Sequence, residues 1–216
     1  MSTRYTILFW DILKTMHEMI KNLINLGYLK TPSIIETFKK IDRTDFVLPK
    51  YKNWTYENGP LPIGCGQTIS QPLTVAFMLE LLQPRTGDKI LEIGSGSGWQ
   101  SAMLAQIAGE KGKVFAIELI PELKEFGEKN SGKYNFKNLK FLAGNAEAGL
   151  PKEKPFDRII AAASGKKIPE AWKEQLKIGG RMVLPVGNSI FLIEKNSEDE
   201  FKETEYPGFA FVPLII

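Results

Sequence analysis

Two stretches of this chain hold residue types that could do chemistry, and neither contains an acid–base pair. The first, "LEIGSGSGWQSA" from Leu91 to Ala102, sets glycines at 94, 96 and 98 directly after an apolar run. Glycines there permit sharp turns and close approach of the backbone to a ligand. The spacing is G-x-G-x-G. A dinucleotide fingerprint asks for glycine at 99, where this chain has Trp99, and the Gly-Lys-Ser/Thr of a phosphate-binding loop is absent. Glu92 stands at the loop's entrance, where a carboxylate would repel a pyrophosphate and suit a ligand with positive charge. Glu118 ends the next apolar run, "KVFAIEL", in the place where an acid hydrogen-bonds ribose hydroxyls. Glycines and two acids together point to S-adenosylmethionine, a nucleoside that carries an ammonium and a sulfonium.

The second stretch, "LPIGCGQTISQP" from Leu61 to Pro72, has glycines, hydroxyls and amides but no charged side chain and no histidine. Ser70 can cap a helix running to about Leu82, and the same hydroxyl is free to orient a substrate. Cys65, between two glycines and with no histidine nearby in sequence, reads as a small buried residue. It is the only cysteine, so an intrachain disulfide is excluded. His17 is the only histidine and falls on an N-terminal helix, where a solvent-facing position is expected. A zinc site of several Cys and His is therefore excluded, and a Ser-His-Asp or Cys-His mechanism would have to recruit His17.

These loops need a frame. The 216 residues are 43% hydrophobic and 25% charged, ordinary for a globular protein, with a net charge of +3. The lysines are scattered without a basic stripe, so nucleic acid is not an expected partner. No apolar stretch is long enough for a membrane span, and "MSTRYTILFWDILK" lacks a signal-peptide pattern, so a cytoplasmic location is expected. Residues 7–26 carry Phe9, Leu13, Met16, Ile20, Leu23 and Ile24 at helical spacing, closed by Gly27. Thr31 and Pro32 open a second helix bearing Ile34, Ile35, Phe38 and Ile41. From Asp45 to Pro72 the pattern is irregular, although its apolar residues argue against disorder. Beyond Ser70, apolar strands ("DKILEIG", "KVFAIEL", "LKFLAG", "DRIIAAA", "GRMVLPVG", "SIFLIEK") alternate with helices at Trp99–Ala108, Pro121–Lys129 and near Pro169–Leu176. That rhythm predicts a parallel sheet covered on both faces, and the polar turn "KNSEDE" predicts antiparallel strands at the end. The expected division is one domain over 1–216, with helices and a binding loop in 1–70 and a Rossmann-like core in 71–216.

With those motifs in place, the chain resembles the protein-L-isoaspartate O-methyltransferase family of class I S-adenosylmethionine-dependent enzymes. The likeness rests on "RTDFVLP", on the Gln-Thr-Ile-Ser of "LPIGCGQTISQP", on "LEIGSGSGWQSA", "GGRMVLPVG" and the closing "FVPL", and it spans the chain from about Leu26. It implies a mostly parallel seven-stranded α/β sheet with N-terminal helices. Ser70 would be the catalytic serine. Gln67 and Thr68, with Glu92, Gly94, Ser95, Gly96, Glu118, Leu119, Asn145 and Ala146, would hold the cofactor. Ile63, Gly64, Cys65, Ile69, Val212 and Pro213 would line a substrate groove. No metal is implied, and the expected partners are isoaspartyl peptides met by a monomer. Two departures stand out. The family's Gly-Asp-Gly after the third strand is here Gly144-Asn145-Ala146, whose amide oxygen can still accept a hydrogen bond. The Ala-Pro-rich segment after the fourth strand is here "AAASGKKIP", with Lys166 and Lys167.

The resemblance also explains why so bare a site suffices. A substrate carboxylate with a pKa of about 3.5 is already ionised at neutral pH, so no general base is required. The methyl ester of an isoaspartyl residue is a better leaving group, so the backbone amide closes to a succinimide that reopens partly to aspartate. A carboxyl methyltransferase acting on Asp or Glu of a dedicated peptide, and a cofactor-binding adaptor without turnover, are the competing expectations. Activity is expected to survive EDTA; loss on chelation with rescue by magnesium would point instead to a hydroxyl-methylating enzyme.

Overall fold

The computed structural model describes residues 15–214. Helix α1 (Met16–Asn25) opens on a capping box: Thr15 Oγ1 accepts from the Glu18 amide, and the Glu18 carboxylate accepts the Thr15 amide. The expected start of this helix, with Phe9 and Leu13, lies outside the described residues. Its inward face is Met19, Ile20 and Leu23, whereas Ile24 is exposed, a rotation of the expected face. His17 is exposed, as its position predicts. Gly27 follows the C-cap Leu26 at φ 75°. Helix α2 (Pro32–Lys40) starts with Pro32 after Thr31 and buries Ile34 and Phe38.

The region expected to be irregular is ordered. Residues Arg43–Phe46 and Pro49–Trp54 form 3₁₀ turns. Strands β1 (Leu61–Gly64) and β2 (Gln67–Ile69) then make a tight antiparallel hairpin. Its two turn residues, Cys65 and Gly66, have φ 50° and 70°, the signs a primed hairpin turn requires. Cys65 therefore sits exposed at the tip, which corrects its reading as a buried residue.

Helix α3 (Pro72–Leu82) is followed by β3 (Lys89–Ile93), α4 (Trp99–Ala108), β4 (Lys113–Glu118), α5 (Pro121–Ser131), β5 (Leu139–Ala143), β6 (Phe156–Ala161), α6 (Glu170–Gln175), β7 (Leu176–Val186), β8 (Ser189–Lys195) and β9 (Phe201–Pro207). The main sheet has seven strands in the order β5-β4-β3-β6-β7-β8-β9. Pairings are parallel from β5 to β7 and antiparallel from β7 to β9. This is the α/β architecture that the strand–helix rhythm predicts. β3 is central because both its faces are covered: Ile90, Leu91, Glu92 and Ile93 are all buried. The seventh strand, expected from the polar turn "KNSEDE" and the family resemblance, carries little hydrophobic pattern of its own. β9 reads "FKETEYP", an edge strand with charged side chains, and edges are commonly protected in that way.

α1 and α2 share one hydrophobic cluster with α3, α4 and the sheet, through Leu23, Phe38, Met78, Met103 and Ile160. Among the described residues no helix is long and apolar enough to cross a membrane. The turn into α4 packs directly on α5. A Cβ added at Gly98, where φ is 82°, would lie 2.5 Å from the Gly127 carbonyl oxygen. Overpacking and left-handed strain each cost roughly 1–3 kcal/mol. Gly98→Ala is expected to lower unfolding stability by about 2–4 kcal/mol in denaturant titration. Gly132→Ala, where nothing lies within 4 Å, should leave it nearly unchanged.

Candidate functional site

The cleft lies at the C-terminal edge of β3 and β4, where parallel sheets of this kind bind ligands. After Ile93 the chain stays tied to β4: the amides of Gly94 and Ser95 both donate to the Ile117 carbonyl, at 2.8 and 3.3 Å. Gly94 and Gly96, at φ 80° and 49°, permit that path. The Gly96 amide then donates to Glu118 Oε2 at 2.8 Å, and the Ile120 amide donates to Glu118 Oε1 at 3.1 Å. The carboxylate is thus fixed at the strand end with lone pairs left for hydroxyl donors in the cleft.

Glu92 is fully buried. Ser101 Oγ donates to one of its oxygens and Gln100 Nε2 to the other, the latter at 3.1 Å. Burial pushes this carboxyl up to about 8; its two hydrogen bonds oppose that, and the charge of Glu118 adds to it. Ser95 Oγ is buried without a hydrogen-bond partner. An unpartnered donor costs about 1–3 kcal/mol unless a ligand or water meets it. Among the described residues that line the cleft there is no Lys, Arg or His. The Glu118 carboxylate, an unfilled hydroxyl and a glycine cradle, with no cation in the lining, fit a nucleoside with cationic groups better than one with phosphates.

Another part of the lining comes from β2 and the segment after it. Gln67, Thr68, Ile69 and Ser70 line the cleft, as do Leu119, Ala146, Val212 and Pro213. The closing segment is held there by backbone bonds: Ser164 N–H donates to Val212 O at 2.9 Å and Leu214 N–H to Ser164 O at 2.8 Å. The structure does not bring every expected residue into the cleft. Ile63 is buried behind it, with its Cδ1 3.3 Å from where a Cβ on Gly96 would stand. Gly64 and Cys65 are exposed on the hairpin tip. Asn145 is exposed, and its Oδ1 accepts the Glu147 amide at 2.7 Å, while its neighbours Gly144 and Ala146 line the cleft. Lys166 and Lys167 are exposed and do not line it.

Ser70 does not cap α3. The N-cap is Gln71, without a side-chain cap bond, and the Leu73 amide is met instead by Asn58 Oδ1 at 3.0 Å. A capping partner that far back in sequence leaves no local signature, so spacing alone favoured Ser70. The Ser70 carbonyl accepts from Arg43 Nη2 at 3.0 Å. Arg43 was missed in the sequence, where it was only one letter of "RTDFVLP".

Comparison with known proteins agrees with this geometry. The family model described as protein-L-isoaspartate(D-aspartate) O-methyltransferase matches residues 14–216. The chain is 41% identical over 207 residues to the protein-L-isoaspartate O-methyltransferase of Methanopyrus kandleri, covering 94% of this chain and 92% of that one. Against the enzyme of the same description from Ignicoccus hospitalis the identity is 42% over 203 residues, 92% of this chain and 96% of that one. A Plasmodium falciparum chain solved in complex with S-adenosyl-L-homocysteine superposes with a TM-score of 0.84 at 21% identity, over 94% of this chain and 99% of that one. At that identity the likeness speaks to the fold.

Glu92 generates a stability test. Its carboxyl ionises near 4.5 when exposed and at about 8 when folded. Between those values the folded state binds the extra proton, so its contribution to stability is full below the lower value and is lost as pH rises through the upper one. Glu92→Gln is expected to remove that decline, so that its melting temperature rises relative to the native chain between pH 5 and 8. Parallel melting profiles would contradict this.

Proposed function

The chain belongs to the protein-L-isoaspartate(D-aspartate) O-methyltransferase family, and on that premise we propose how its own residues carry out the reaction. It is an S-adenosylmethionine-dependent enzyme that methylates the free carboxylate of isoaspartyl residues in proteins, the step that initiates their repair. One observation supports this above the others: the Gln67–Ser70 stretch and the Gly94–Gly96 loop line the same cleft.

The cofactor, when bound, supplies a methyl group on a sulfonium. Glu118 would accept the ribose hydroxyls, and Gly94, Ser95 and Gly96 would hold the amino-acid end, with Glu92 beneath it. Gln67, Thr68, Leu119 and Ala146 would close the walls around it. Asn145, turned out to solvent, would have to give up its bond to the Glu147 amide to reach an adenine. On the acceptor side the Ser70 hydroxyl donates to one oxygen of the substrate carboxylate and leaves the other free to attack in line. Ile69, Val212 and Pro213 would flank the peptide, with the exposed Gly64–Cys65 tip beside it and Ile63 as backing. No step needs a base, because the acceptor is already ionised. The chain's work is to position two groups and exclude water. A cation in direct contact would blunt the carboxylate, and the cleft lining has none.

Residues 1–216 act as one methyltransferase domain in this reading, supported by the hydrophobic cluster that α1 and α2 share with the sheet. We further propose a cytoplasmic monomer; a single cysteine, which can form no intrachain disulfide, suits that location.

The test is base-labile methyl transfer to an isoaspartyl peptide beside its aspartyl twin. The peptides differ in where one methylene lies, and displacing the carboxylate by about 1 Å can cost 100-fold. Strong preference for the isoaspartyl form is expected. Equal rates would favour the dedicated-peptide enzyme, and absence of turnover would favour the adaptor. A second test uses Ser70→Ala. A hydrogen bond to a charged group is worth about 1.5–3 kcal/mol, so turnover should fall by about 10- to 100-fold. Because Ser70 makes no cap bond, stability should stay within about 0.5 kcal/mol. Unchanged turnover would remove Ser70 from the chemistry.

A further inference from the structure

Arg43 is fully buried (0% exposed), yet its partners are carbonyls rather than a carboxylate. Nη1 donates to Thr55 O at 2.6 Å and Glu57 O at 3.4 Å, and Nη2 donates to Gly59 O at 2.9 Å and Ser70 O at 3.0 Å. The guanidinium also lies 5.4 Å from the Trp99 ring centroid. Burial lowers its pKa to about 9, which leaves it charged at neutral pH. An ion pair would have cancelled that charge; four carbonyls meet the Nη1 and Nη2 donors, Nε is left without a partner, and the charge persists. A buried ion costs several kcal/mol after relaxation, which the bonds to four carbonyls offset in part. Its position gives the charge a use. It sits directly behind Ser70, where α3 also begins and adds the positive end of its dipole. The cleft that Ser70 lines also carries Glu92 and Glu118.

We propose that Arg43 is a positioning residue for the methyl acceptor: it locks Ser70 and the 55–59 segment into one wall and gives that wall the positive potential that draws the acceptor carboxylate. It works through the Ser70 peptide group and does not touch the substrate. A direct ion pair would stabilise the carboxylate over the neutral ester and slow attack. A cation behind a peptide group attracts the same anion with less loss of nucleophilicity.

The proposal rests on the reading of Ser70 as the acceptor-side group. Its test uses Arg43→Met, Arg43→Lys and Asn58→Ala; Asn58 ties the same 55–59 segment to α3 through the Leu73 amide. KM and kcat are measured with an isoaspartyl hexapeptide, and S-adenosylhomocysteine affinity by calorimetry. Peptide KM should rise roughly 10-fold or more in Arg43→Met. The rise should be smaller in Arg43→Lys, which keeps the charge, and in the same direction in Asn58→Ala. S-adenosylhomocysteine affinity should stay within about twofold in all three, as for uncoupled sites. Affinity that weakens in step with KM would reduce Arg43 to a packing role and overturn the proposal. So would an unmoved KM in Asn58→Ala and in whichever Arg43 variant folds; if neither folds, Asn58→Ala decides. A native enzyme inactive on the isoaspartyl peptide would instead sink the functional reading, and this inference with it.

Discussion

The hydrogen bond from the Gly96 amide to the Glu118 carboxylate is the constraint on which the site depends. It joins the glycine loop after β3 to the end of β4, two strands already in register through Ile93 and Ile117. The loop can make that bond only because Gly94 and Gly96 adopt left-handed backbone. Once made, it sets where α4 begins, and the close fit of Gly98 on Gly127 keeps α4 against α5. The cleft is the space left above this knot, and its acidic wall is a by-product of using a carboxylate to tie it.

The far wall is held by different means. Its backbone runs through a hairpin and 3₁₀ turns, which supply few ladder bonds of their own. Side chains make up the deficit: Arg43 gathers four carbonyls, Asn58 meets the start of α3, and Tyr56 bonds Asp42 at 2.9 Å. Both walls therefore contain an expensive buried group, a carboxyl at 92 and a guanidinium at 43. Each lacks an opposite charge at hand, and perturbed groups of this sort gather at functional sites. Glu92 lines the cleft directly, and Arg43 reaches it through the Ser70 carbonyl.

Much of this was legible in the sequence. The strand–helix alternation after Ser70 gave the sheet, because buried parallel strands must be apolar on both faces. The glycine loop and its two acids gave the cofactor's side, because those residue types have few other reasons to occur together. What escaped has physical causes. β9 escaped the hydrophobic pattern, though not the polar turn before it, because it is a charged edge strand. The hairpin at Leu61–Ile69 turns on Cys65 and Gly66 rather than an Asn-Gly pair. The α3 cap comes from Asn58, and Arg43 finds its partners up to Ser70; neither long-range contact has a local pattern.

The central claim is that this cleft performs methyl transfer by placement alone, with no proton in motion. Single-turnover transfer to an isoaspartyl peptide, compared in light and heavy water at saturating cofactor, tests it most directly. The account predicts the same rate in both solvents, since the acceptor is ionised before it binds and no side chain gives or takes a proton in the transition state. A clearly slower rate in heavy water would put a proton in flight and contradict it.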